Sequence, residues 1–249
     1  MKGGYKVFPA TSIPALISAT NTFSNTNTDP KASIIVNLGL LAGVPTPVLL
    51  LFYDGPTEPA AFAPFKNIPT LQSDVKTRSF SDLAKSSPSQ TTSGQRGAFH
   101  TLSTTGYTLG FLNAVNAESV FYGQLALSHS GVFISYDIEP FVKAYGQKAT
   151  DSAYPHQKSP LPLFLYFTWL NPAEDAFWRT KIQESVDKLT QVAKAEGIFD
   201  AELTSYPNYV LGTYKGDQLY GSANAARLRG IRGQVDPSGV MDLTGGFVT

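Results

Sequence analysis

The sequence contains no cysteine, and this absence excludes several kinds of chemistry at once. Without cysteine the chain forms no disulfide, has no thiolate nucleophile and offers no sulfur ligand to zinc. The three histidines, His100, His129 and His156, are far apart in the chain, and none has a second ligand at metal-binding spacing. No metal site is therefore expected.

Charge is also scarce. Charged residues make up 15% of the chain, and 19 basic residues balance 19 acidic ones. Nucleic-acid binding requires a basic patch, so no nucleic-acid partner is expected. Low charge together with 12% aromatic residues predicts apolar surface, either around a pocket or at a homo-oligomer interface.

Long apolar runs and the common catalytic motifs are missing as well. The longest apolar run, residues 48–53, is too short to span a bilayer, and residues 1–9 lack a signal-peptide core. We therefore expect a cytoplasmic protein without a membrane partner. The triplet Ser128-His129-Ser130 is no hydrolase pair, because adjacent side chains of a strand point to opposite faces.

Periodicity predicts strands and helices in mixed order. The pattern favours strands at 5–8, 31–41, 47–54, 73–80, 97–103, 131–137 and 161–169, and helices from Ser12, at 58–65, within 109–127 and at 172–196. Residues 86–94 are typical of a loop. The helix expected at 172–196 has the clearest signals at its ends: Asn171 as N-cap, Glu174 as capping-box partner and Gly197 as stop.

One internal similarity bears on the architecture. Residues 48–62 resemble residues 163–177, since each run is a buried strand, a turn with proline and a helix that begins with acidic residues. Two such units indicate either a duplicated half within one antiparallel sheet covered on one face by helices, or a strand-to-helix turn of a kind that is common in unrelated proteins.

The order of several short motifs resembles a known family. The motifs are Gly3-Gly4-Tyr5-Lys6-Val7-Phe8-Pro9, Asp29-Pro30-Lys31-Ala32, Ala153-Tyr154-Pro155-His156, Tyr166-x-x-Trp169-x-x-Pro172-x-x-Asp175, and the ending Tyr206-Pro207-Asn208-Tyr209 with Leu219-Tyr220-Gly221. Together they resemble the C-terminal, substrate-binding portion of the berberine-bridge-like, fungal FAD-linked oxidoreductases. The resemblance covers nearly the whole chain.

The resemblance implies a fold, a cofactor and roles for individual residues. It implies an α+β fold in which helices cover one face of a large antiparallel sheet and a pocket occupies the other. Residues 1–200 would form the body of a single unit, and residues 201–249 the C-terminal segment. Asn208 and Asn224 match residues beside the flavin, and Tyr209 matches a catalytic base of some relatives. The FAD-binding subdomain has no counterpart in this sequence, so no cofactor is expected, with FAD as the alternative.

Alternation along residues 161–169 adds a candidate pocket face. Leu163, Leu165, Phe167 and Trp169 share the face expected to pack on helices. The opposite face carries Phe164, Tyr166 and Thr168, which together with Tyr136 form the expected substrate-binding set. The expected catalytic residues are Tyr209, Arg96 and His100. Each of these side chains could instead be purely structural.

Three functions remain open from the sequence. The first is a flavin-free enzyme of fungal secondary metabolism that catalyses a cyclisation or pericyclic, Diels–Alder-type reaction on a small hydrophobic substrate. The second is an FAD-dependent oxidoreductase half that needs an FAD-binding partner. The third is a binding module without turnover.

Overall fold

The computed structural model describes residues 1–86, 93–143 and 145–245. Most of the loop expected at 86–94 lies outside these ranges. Ten described strands form one sheet in which every pair is antiparallel. They are β1 (Lys2–Val7), β2 (Ala32–Asn37), β3 (Leu40–Leu41), β4 (Val44–Pro45), β5 (Val48–Tyr53), β6 (Gln72–Ser73), β7 (Lys76–Thr77), β8 (Arg96–Thr104), β9 (Gly131–Ile138) and β10 (Leu161–Trp169).

The order of the strands joins two parts of the chain at β9. Across the sheet the strands run β8, β10, β9, β2, β5 and β1, and β1 then pairs with the short strands β6 and β7. Strand β9 pairs with β10 along one edge. Along its other edge it pairs first with β3 and then with β2. Because β9 links the two parts, its side chains lie near the centre of the sheet.

Helices cover one face of this sheet, as the sequence predicts. The helices are α1 (Ile13–Thr26), α2 (Phe80–Lys85), α3 (Leu109–Leu125), α4 (Asp175–Ala195) and α5 (Gly216–Val235). Of these, α3 and α4 pack on the sheet and on each other, and α1 packs against α3. They bury the alternate strand residues Leu163, Leu165, Phe167 and Trp169, and the expected stripe of α4, Ile182, Val186, Leu189 and Ala193. The α+β architecture is confirmed.

The ends of α4 follow the sequence signals with one exception. The side chain of Asn171 accepts a hydrogen bond from the Ala173 N–H at 3.1 Å. Gly197 ends the helix with a φ of 70°, a conformation that favours glycine. Glu174 is not a capping-box partner, because its carboxylate instead accepts a hydrogen bond from the Ser130 hydroxyl at 2.5 Å.

Three other local predictions differ from the structure. Residues 73–80 form no continuous strand: β7 ends at Thr77, and α2 begins at Phe80. Ser12 does not cap α1, because its hydroxyl donates to the Pro69 carbonyl. Residues 60–65 form a 3₁₀ segment rather than an α-helix, and Pro64 within it has no N–H to donate.

The C-terminal segment packs loosely on the body. It contains a 3₁₀ turn (Pro207–Tyr209), α5, which is kinked at Gly221, and a final turn (Val240–Thr244). Helix α5 buries only Gly216, Leu219 and Ala225. None of the helices in the described ranges is long and apolar enough to cross a membrane.

Candidate functional site

A large cavity lies on the sheet face opposite α1, α3 and α4. Its volume is about 860 Å³, the size of a pocket for a drug-like molecule. Strand residues form its floor, and α2 covers part of it with Phe80, Leu83 and Ala84. The main side chains of the floor and walls are Tyr5, Ser33, Ile35, Asn37, Leu41, Val48, Leu50, Phe52, Phe99, Phe133, Ser135, Asp137, Phe164 and Tyr166.

Three polar side chains on the cavity floor form a connected group, which we call the floor cluster: Asn37, Ser135 and Asp137. The amide nitrogen of Asn37 donates to Ser135 Oγ at 2.5 Å and to Asp137 Oδ1 at 2.8 Å. The Ser135 hydroxyl donates to Asp137 Oδ2 at 2.5 Å. Burial raises the pKa of Asp137 to about 6, although the two hydrogen bonds oppose this shift.

A second acidic group lies two residues further along the chain. Glu139 is only 5% exposed, and the Tyr209 hydroxyl donates to its Oε1 at 3.2 Å. Burial, and next the charge of Asp137, raise the pKa of Glu139 to about 7. Burial, and next the charge of Glu139, raise the pKa of Tyr209 above its ordinary value. At neutral pH both the protonated and the ionised form of Glu139 are therefore populated.

Tyr209 meets the cavity through an aromatic contact. Its ring stacks on Phe164, a cavity-wall residue, with the centroids 4.2 Å apart. On the other side of Tyr209, the ring of Tyr206 packs edge-on with the centroids 5.0 Å apart. The C-terminal segment thus brings Tyr209 to the margin of the cavity through Phe164, while neither Tyr209 nor Glu139 is among the residues that line it.

Two of the expected substrate-binding residues, Phe164 and Tyr166, lie in the cavity wall. The ring of Tyr166 stacks on Phe99 of β8 with the centroids 4.4 Å apart. These rings give the cavity a flat aromatic wall that suits an unsaturated or aromatic ligand. Their role in substrate binding remains a prediction.

The placement of His100 and Tyr136 on the pocket face is wrong. Both residues pair across the sheet with Leu165, so they share its helix-covered face. His100 Nε2 lies 2.9 Å from Gln183 Oε1, and burial lowers the pKa of His100 to about 4. The Tyr136 hydroxyl lies 2.6 Å from Ser185 Oγ. Both side chains are fully buried beneath α4.

Arg96 and Thr168 also lie outside the cavity lining. Arg96 forms an exposed, two-pronged ion pair with Asp175 at the start of α4, and Asp175 also accepts from the Trp169 indole. Thr168 is buried, and its hydroxyl accepts from the Phe133 N–H at 3.0 Å, next to a register shift between β9 and β10. Both contacts link structural elements.

The two residues matched to the flavin have partners within the chain. Asn208 donates its amide to the Tyr206 hydroxyl at 2.8 Å, and Asn224 donates to the Ala153 carbonyl at 2.9 Å. No lysine, arginine or histidine is among the described residues that line the cavity. A flavin diphosphate needs cationic groups or clustered N–H donors, so the described residues do not by themselves fit FAD. They also contain no group of three or more histidine and carboxylate side chains that could hold a metal ion.

Asn37, Asp137 and Glu139 were not among the site residues expected from the sequence. A signal for the two acids was present: Ser135, Asp137 and Glu139 occupy every second position of a segment whose other positions are Ile134, Tyr136 and Ile138. When polar residues occupy every second position of a central strand, they lie together on one face of the sheet. Nothing in the sequence pairs Asn37 with Asp137, because that contact depends on the register between β2 and β9.

Comparisons with solved structures identify the fold. One similar structure is 6-hydroxy-D-nicotine oxidase from Arthrobacter nicotinovorans, at 15% identity and a TM-score of 0.62 over 96% of this chain. Another is a variant of berberine bridge enzyme in complex with (S)-reticuline, at 14% identity and 0.61 over 95%. A third, BBE-like 1 from Physcomitrella patens, has 11% identity and 0.62 over 95%.

The fold is that of the berberine-bridge-like oxidases. The chain spans only about half of each of these proteins, 51% to 52% of their length. This coverage agrees with the expected resemblance to one portion of the FAD-linked enzymes. No family model and no curated sequence matches the chain.

Proposed function

We propose that this chain is an enzyme that binds a small hydrophobic molecule on its sheet face and cyclises it without a cofactor. The observation that carries this proposal is the cavity of about 860 Å³, which the chain's own residues line mostly with apolar side chains. Such a cavity holds a flexible substrate in a reactive conformer, and this confinement lowers the barrier of a cyclisation or pericyclic reaction.

The Tyr209–Glu139 pair supplies proton transfer at one end of this cavity. As the Tyr209 oxygen takes a proton from the substrate, the tyrosine's own proton passes to Glu139 along their hydrogen bond. The substrate is left as an anion or, after loss of a leaving group, as a neutral polyene or quinone methide that then cyclises. The proton on Glu139 returns through Tyr209, either to the cyclised anion or, where a leaving group has departed, to that leaving group, so the enzyme ends the cycle unchanged.

The test uses purified protein and a linear polyene or quinone-methide precursor, without added FAD. We expect turnover by the wild-type protein and a loss of roughly 10²-fold in kcat for Tyr209→Phe, the scale of one acid–base group. Tyr220→Phe, a change in the same C-terminal segment, is the matched control and should keep full activity. Absence of turnover without FAD, or equal activity of the two variants, would refute the proposal.

A second candidate function is the substrate-binding half of an FAD-dependent oxidoreductase. It is favoured by apolar side chains that the C-terminal segment leaves exposed: Ile231, Val235, Val240, Met241 and Leu243. An FAD-binding polypeptide could cover this surface, and so could a second copy of this chain in a homo-oligomer. Flavin absorbance of the purified protein and light scattering separate these cases. Turnover that appears only with bound flavin would establish the oxidoreductase.

A further inference from the structure

The floor cluster has used all of its hydrogen-bond donors. Asn37 has two amide hydrogens, which go to Ser135 and Asp137, and the single hydroxyl hydrogen of Ser135 goes to Asp137. Asn37 Oδ1 is buried and has no hydrogen-bond partner among the described residues. Because Asn37 Oδ1 is closed off, the remaining capacity of the cluster towards the cavity is to accept hydrogen bonds through the free lone pairs of the Asp137 carboxylate.

The surroundings of the cluster do not neutralise its charge. Asp137 lines the cavity and keeps part of its surface accessible there. The described cavity lining contains no lysine, arginine or histidine, and its other side chains are mostly apolar. A carboxylate in such a place is costly unless a cation or further donors reach it.

We propose that the cavity binds an apolar ligand that carries a protonated amine, and that the N–H groups of this amine bind the Asp137 carboxylate. The cluster requires a donor from the ligand, and its uncompensated negative charge favours a cationic donor over a neutral one. The aromatic wall formed by Phe99, Phe164 and Tyr166 holds the apolar part of the ligand. The inference rests on the proposed function, because it names the substrate class of the same cavity.

The experiment compares three probes that share one ring system: naphthylmethylamine, naphthylmethanol and naphthylacetate. Binding to the full chain is measured by calorimetry at pH 7.5. We expect the amine to bind about tenfold or more tightly than the alcohol, a difference of about 1.4 kcal/mol, and the acetate to bind most weakly. Equal binding of the amine and the alcohol to the wild-type protein would overturn the proposal.

Two variants locate the effect. Asp137→Asn should abolish the preference for the amine and leave binding of the alcohol nearly unchanged. Ser33→Ala, at the cavity wall but outside the floor cluster, should retain the preference. If Asp137→Asn does not fold, Asp137→Ser serves instead, because it also removes the negative charge and should abolish the preference for the amine. Amine preference that persists in folded Asp137→Asn would refute the role of this residue.

The probes also separate this inference from the proposed function. If none of the three probes binds, the cavity does not take apolar molecules, and both proposals fail. If the alcohol and the amine bind equally well, only the inference about the amine fails. Turnover is not measured in this experiment, so the outcome does not depend on Tyr209.

Discussion

Replacing Glu139 by glutamine should stabilise the protein while it impairs proton transfer. Glu139 is only 5% exposed, and its carboxylate accepts a hydrogen bond from the Tyr209 hydroxyl and lies near the charge of Asp137. Glutamine has the same shape, and its carbonyl oxygen can accept the same hydrogen bond from Tyr209. The substitution therefore removes the charge with little change in packing.

The size and the pH window of the effect follow from the raised pKa. In the folded protein the pKa of Glu139 is about 7, against 4.5 for the unperturbed group. Because the folded pKa is the higher one, the stability linked to the protonated form is fully present below pH 4.5 and is lost as the pH rises through 7. Above pH 7 the charged side chain costs up to about 3 kcal/mol relative to a neutral one.

The assay is denaturant unfolding of the wild-type protein and Glu139→Gln at pH 5 and pH 8. At pH 5 the two should differ little, and at pH 8 the variant should be more stable by up to about 3 kcal/mol, or roughly 6–12 °C in Tm. Glu58→Gln, at an exposed acid, is the matched control and should change neither value. Equal stability of wild type and Glu139→Gln at pH 8 would refute the reasoning, as would a variant that is less stable at that pH.

Two further predictions concern the expected catalytic residues that lie outside the cavity. Arg96→Gln should lower Tm only slightly, because the exposed ion pair with Asp175 contributes little to stability. It should leave kcat unchanged, because Arg96 is not among the residues that line the cavity. A large loss of kcat with an unchanged KM would instead indicate a catalytic role for Arg96. His100 has a lowered pKa, so the stability linked to its neutral form is present above pH 6.5 and falls by roughly 3 kcal/mol as the pH drops towards 4. His100→Gln should flatten this part of the stability profile without changing turnover, and an unaltered profile in unfolding experiments would contradict the assignment.

The elements with strong local signals were predictable. Strand β10 and the two faces of its side chains follow from alternation, and the buried stripe and the glycine stop of α4 follow from helical periodicity. The short strands β6 and β7 and the start of α2 were not predicted. Each of β6 and β7 consists of only two residues that pair with β1, which is too short for an alternating pattern to be recognised in the sequence.

The site was predictable only in part, because the sequence of a single strand does not specify its register with the neighbouring strand. Alternation placed Phe164 and Tyr166 on the cavity face, but it could not show that His100 and Tyr136 stand opposite Leu165 on the other face. A shift of one residue in pairing moves every side chain to the opposite face of the sheet. The assignment of these two residues therefore needed the paired strands.

The sequence by itself determined the class of fold, the covered face of the sheet and the resemblance of its C-terminal segment to the berberine-bridge-like enzymes, because these depend on local periodicity and on motif order. Only the tertiary structure brought Asn37 to Asp137, which lies 100 residues further along the chain, and Tyr209 to Glu139, which lies 70 residues earlier. These contacts depend on strand register and on the path of the C-terminal segment. Both are decided by packing over the whole sheet, where burial also shifts the pKa values of the two acids.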